Sequence, residues 1–137
     1  MIRKSVALIL LAICMGGALV SCKGKDTEDK KIKDLEFTVV SPDNIQDEIL
    51  ARIEENKEKG FHLSFSDGEY LYIAIGYGEQ KTGGYSIAVN ELYLAENGVY
   101  VDTELIGPSG NDTTGDKASY PYIVIKTEDI QKSVIFD

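Results

Sequence analysis

The sequence predicts an α+β domain of mostly antiparallel sheet. About six strands are expected, open to a sandwich-like arrangement, with one amphipathic helix packed on them near the N-terminal side. Three observations carry this. Short runs of alternating apolar and polar residues recur from Phe61 to Lys126. Between them stand the turn pairs Asp67-Gly68, Gly83-Gly84 and Asn97-Gly98. Only one stretch, with Ile45, Ile49, Leu50 and Ile53 on one side, keeps a helical spacing.

Residues 1–21 read as an export leader. Arg3 and Lys4 open it, Val6 to Ile13 is unbroken apolar sequence, and Gly16, Gly17 and Ala18 follow. The run is too short for a comfortable membrane span. Leu19-Val20-Ser21-Cys22 then resembles the lipobox of bacterial lipoproteins. That resemblance implies lipidation of the Cys22 thiol and cleavage before it. It also implies a membrane anchor on the extracytoplasmic face, because two or three acyl chains hold where one holds only marginally. Cys14 would leave with the leader and Cys22 would be blocked, so the mature domain is expected to have neither a free thiol nor a disulfide.

The 137-residue chain has 14 basic and 23 acidic side chains, and its net charge is −9; loss of Arg3 and Lys4 would take that to −11. A surface this acidic repels nucleic acid and anionic headgroups. Residues 22–34 are read as the lipidated cysteine and a polar tether, which spans about 40 Å when extended. Residues 35–137 are read as one domain. Leu35 to Val40 is its expected first strand.

Ser41-Pro42-Asp43 is expected to open the helix, with Asp43 and Gln46 spaced as a capping box and Gly60 beyond its end. Strands follow at Phe61–Ser66, at Tyr70–Ile75 (apolar enough to be central), at Tyr85–Leu94, at Val99–Leu105 and at Tyr120–Lys126. Val134 to Phe136 suits a short edge strand.

Catalytic constellations are thin. His62 is the one histidine, on the polar side of its strand, and an exposed strand histidine is the plainer account. No acid pair stands in an apolar setting that would raise a pKa. Without a His/Cys cluster no zinc site is expected. Asn111, Asp112 and Asp116 could offer oxygens to a cation, but their spacing is not that of an EF-hand, and a solvated loop explains them better. No cofactor is expected. The eight tyrosines, with no tryptophan, are more informative: Tyr77, Tyr85, Tyr120 and Tyr122 border loops, where aromatic area and a hydroxyl serve binding surfaces.

Gly76, Glu79, Lys81-Thr82-Gly83-Gly84-Tyr85 and Ser86-Ile87, followed by Tyr120-Pro121-Tyr122, resemble the C-terminal domain of the PrcB protease-complex-subunit family. That pattern has Lys-Pro where this chain has Gln80-Lys81, and often Thr where it has Ser119. The resemblance implies an accessory, non-enzymatic partner of an exported subtilisin-type protease. It implies that Thr82, Gly83, Gly84, Tyr85, Tyr120, Pro121 and Tyr122 present the contact surface. The same turn resembles the Thr-Gly-Tyr loop of chagasin-type protease inhibitors, whose other loops carry a tryptophan absent here. Direct protease inhibition and a carboxylate-dependent surface hydrolase are the alternatives.

Overall fold

A computed structural model of the chain describes residues 30–109 and 117–137. The leader, Cys22, most of the tether, and Asn111, Asp112 and Asp116 lie outside the described residues.

Among the described residues eight strands and one α-helix follow in order: β1 (Lys31–Asp34), β2 (Phe37–Val39), α1 (Asp47–Asn56), β3 (Phe61–Ser66), β4 (Tyr70–Gly76), β5 (Ser86–Ala95), β6 (Gly98–Ile106), β7 (Tyr122–Glu128) and β8 (Val134–Phe136). They form two four-stranded sheets of order β1-β5-β6-β8 and β2-β7-β4-β3. All pairings are antiparallel except β6 with β8. The class is therefore α+β as expected, with eight strands rather than about six.

Of the eight, β1 was not expected, and the short edge strand at Val134–Phe136 was. Residues 31–34, assigned above to the tether, pair with β5 as its outer neighbour. All four are exposed, so nothing in their hydropathy announces a strand; backbone hydrogen bonds to Tyr93–Ala95 hold them. β8 is the short edge strand at Val134–Phe136.

The molecule has three layers: α1, the β2-β7-β4-β3 sheet, and the β1-β5-β6-β8 sheet. Leu71, Ile73, Ile75 and Ile125 meet Leu92, Val99 and Val101 between the sheets. Ile45, Ile49 and Ile53 meet Ala74 and Val124 on the other side of the first sheet, with Phe61, Leu63, Phe65, Tyr72 and Tyr122 around them. β4 is thus covered on both faces, which is why its sequence lacks charge. Each fully buried isoleucine contributes about 1.5–3 kcal/mol, so α1 is held by packing rather than by the Lys57–Glu54 ion pair at 3.0 Å.

The helix begins later than Asp43. Pro42–Asn44 make a 3-10 turn, Ile45 is extended and 7% exposed, and α1 starts at Asp47 with Gln46 as an N-cap that gives no side-chain bond. Dropping Ile45 into the core breaks the helical phase that a continuous capping box requires. Gly60 has φ +83°, a conformation that favours glycine beyond a helix end.

Candidate partner-binding surface

Backbone-to-backbone contact sets the position of the Thr82–Tyr85 turn. The exit of α1 and the exit of β4 touch at Gly60 and Gly78. A Cβ on Gly78 (φ +80°) would lie 3.3 Å from the Glu58 carbonyl oxygen and the Gly60 nitrogen. Glu79 N donates to Glu58 O at 3.1 Å. Side chains at these glycines would push the strand exit off the helix.

Beyond this contact the chain is tied to the start of β7. Tyr77 N donates to Pro121 O at 3.1 Å, and Gln80 and Ser119 exchange two backbone bonds of 2.8 and 3.0 Å. The Ser119 hydroxyl donates to Thr82 O at 2.6 Å, and Gln80 Nε2 donates to Tyr77 O at 3.2 Å. Thr82 Oγ1 donates to Gly83 O at 3.1 Å. Gly84, exposed, has φ +88° and reverses the chain into β5. The two sequence motifs, 37 residues apart at Thr82 and Ser119, are one built structure. Serine suffices where threonine is common in the related pattern, because the hydroxyl makes the bond.

The tyrosines beside this clamp have different neighbours. The half-buried Tyr85 ring lies against Gly107, where an added Cβ would be 3.3 Å from Cε2. Tyr120 is half-buried under Lys57, whose Nζ is 5.1 Å from the ring centroid. Its hydrogen bond to Glu54 holds the Lys57 ammonium above the usual lysine range. Among the described residues no ring contact joins Tyr85 to Tyr120. Tyr122 pairs with Gly76 and packs toward α1, so its ring serves the fold. Tyr77 crosses between the sheets, its hydroxyl 2.7 Å from Thr103 Oγ1.

Sequence reasoning missed one part of this end. A groove of about 340 Å³ runs beside Tyr120 and Pro121, walled by Val39, Ser41, Pro42 and Ile123. Val39 is 54% exposed, although its face of the sheet is the one that packs elsewhere. The signal was Val39-Val40-Ser41-Pro42, an aliphatic pair entering a proline turn. It reads as ordinary core unless the neighbouring sheet is known to stop short of it.

The other candidate chemistry is dispersed. The His62 ring stacks on Phe136 at 4.4 Å, nearly parallel. A cleft of about 550 Å³ places Asp34, Glu36 and Glu128 beside Lys33 and Lys126, with Leu35, Phe37 and Tyr70 also in its wall. Among the described residues no group of three or more His, Cys, Asp or Glu is placed to hold a metal.

The family model described as PrcB C-terminal covers residues 71–128, from within β4 to the end of β7, and so includes both sides of the Gln80–Ser119 bridge. No curated protein and no solved structure matches the chain.

Proposed function

Residues 71–128 belong to the PrcB C-terminal family, and from this we propose that the protein is a non-catalytic accessory subunit that binds an exported protease of the subtilisin type. The observation that supports the reading most is the Gln80–Ser119 bridge with the Ser119–Thr82 bond. It holds an exposed glycine turn and a half-exposed Tyr120-Pro121 groove at one end of the sandwich. Fixed backbone beside aromatic area is what a contact surface needs, since little ordering entropy is lost when a partner arrives. In this reading Gly84, Thr82, Tyr85, Tyr120, Pro121 and Val39 meet the partner, and Tyr122 supports them from below.

The address is part of the same proposal. Cys22 carries lipid on the extracytoplasmic face, and the acidic domain stands off the headgroups. Mass spectrometry of the mature N-terminal peptide tests this; an unmodified Cys22 thiol would overturn it.

Affinity purification from solubilised membranes tests the partner. A serine protease is expected to co-elute with the wild-type chain and to be lost from the Val39→Asp and Gly84→Asp variants while circular dichroism stays unchanged. Absence of any protease from the wild-type eluate would overturn the reading. Stoichiometric inhibition of the co-eluting protease would assign the turn to inhibition instead.

A further inference from the structure

The four sheet edges among the described residues are not alike. β1 has four residues, a register irregularity, and the charges of Lys31, Lys33 and Asp34. β2 and β8 have three residues each. Short, irregular or charged edges resist pairing with other chains. β3 has none of these protections: its six residues, Phe-His-Leu-Ser-Phe-Ser, keep unbroken register with β4 and contain no Lys, Arg, Asp, Glu or Pro.

The bond from Asp67 N to Tyr70 O fixes the phase of the hairpin. Hydrogen-bonded and non-hydrogen-bonded pairs alternate from it. Phe65 with Tyr72 and Leu63 with Ala74 are therefore bonded pairs. His62, Ser64 and Ser66 turn their N–H and C=O groups away from β4. Their side chains are exposed, and β3 ends the strand order among the described residues.

We propose that β3 pairs antiparallel with β3 of a second copy, about a two-fold axis at Ser64, joining the two four-stranded sheets into one of eight. The register itself argues for a copy of the same chain. With Ser64 opposite Ser64 of the second copy, His62 falls opposite Ser66 and Ser66 opposite His62. All three outward-facing residues then meet outward-facing residues, giving six backbone hydrogen bonds. On the helix side Leu63 falls opposite Phe65, and both are only half-buried in the single chain. Charge points the same way. In a chain of net charge −9, β3 itself carries no charge, with the Asp129 carboxylate bonded to the Ser66 hydroxyl at its end, so two copies meet there without a charge on either paired strand. The inference does not rest on the protease-binding reading, which concerns the Thr82–Tyr85 turn.

The test uses the full chain in detergent with Cys14→Ser and Cys22→Ser, so that one introduced thiol is the only one. In the proposed register Ser64 lies about 5.5 Å from its counterpart between Cα atoms, within disulfide reach. Ser66 lies about 14 Å from its own counterpart, four residues of strand rise away. Ser64→Cys is expected to close a disulfide dimer at least about tenfold faster than Ser66→Cys. Light scattering is expected to give a dimer mass for the chain with Ser64 or Ser64→Thr, and half that mass for Ser64→Lys. Equal, slow closure at both positions, or a monomer mass with Ser64 in place, would overturn the proposal and leave the edge to a strand from another protein.

Discussion

Asp67 carries the hairpin that leads into the central strand, and it does so with its carboxylate. It accepts from Tyr70 N at 2.7 Å and from Glu69 N at 2.9 Å. These two bonds, the Tyr70 bond first, hold its carboxyl below the usual range. The sign follows from linkage: a depressed folded pKa gives stability that is full above the unfolded value, about 3.9, and lost as pH falls through the lower folded one. Melting temperatures of wild type and Asp67→Asn should therefore differ most at neutral pH and converge in acid. Gly84 is the other position where one residue decides. At φ +88° a Cβ is strained, so Gly84→Ala should cost about 1–2 kcal/mol, read from the urea midpoint. The sequence showed that glycine was needed here. It did not show that Ser119 holds the turn, because a bond across 37 residues leaves no local pattern.

Elements were legible where one face is buried and obscure where backbone pairing alone makes them. The alternation in β3 and the apolar run of β4 placed both strands correctly, since the Phe61, Leu63, Phe65 row must face a helix. β1 escaped notice because exposed Lys-Ile-Lys-Asp carries no such row. The start of α1 was misplaced because Ile45 leaves the helical path to reach the core. Ile53, 0% exposed, bears the helix against the sheet, and Ile53→Ala should lower unfolding free energy by about 2–5 kcal/mol. Gly98 corrects a different expectation. It looked like a turn glycine, yet the turn lies at Glu96-Asn97, and Gly98 already pairs with Ala95. Its real constraint is β8: an added Cβ would come within 2.7 Å of Ser133 O and 2.9 Å of Ile135 Cδ1. Gly98→Ala should displace the C-terminal strand and cost about 1–3 kcal/mol. Faster hydrogen exchange at Val99, which donates to Ser133 O, would report it.

At the scale of the molecule, the layers follow from two apolar rows on opposite faces of one sheet, and both rows are visible in the sequence. What could not be seen is where the second sheet stops, and that decides why Val39 is exposed and why a groove exists beside Tyr120. The same geometry has a mechanical side. Lys31 pairs with Ala95 at one end of β5, whereas the glycine turn enters β5 at Ser86. Ten residues of strand separate those ends, about 30 Å. In a chain held at Cys22 and gripped at its turn, as proposed, tension would run lengthwise through β1 and β5. Their bonds would then be loaded side by side, in shear, rather than unzipped singly. Pulling between residue 22 and residue 84 should need more force to free β1 than pulling between residue 22 and Ala95, and optical-trap measurements on the two attachments would show the difference.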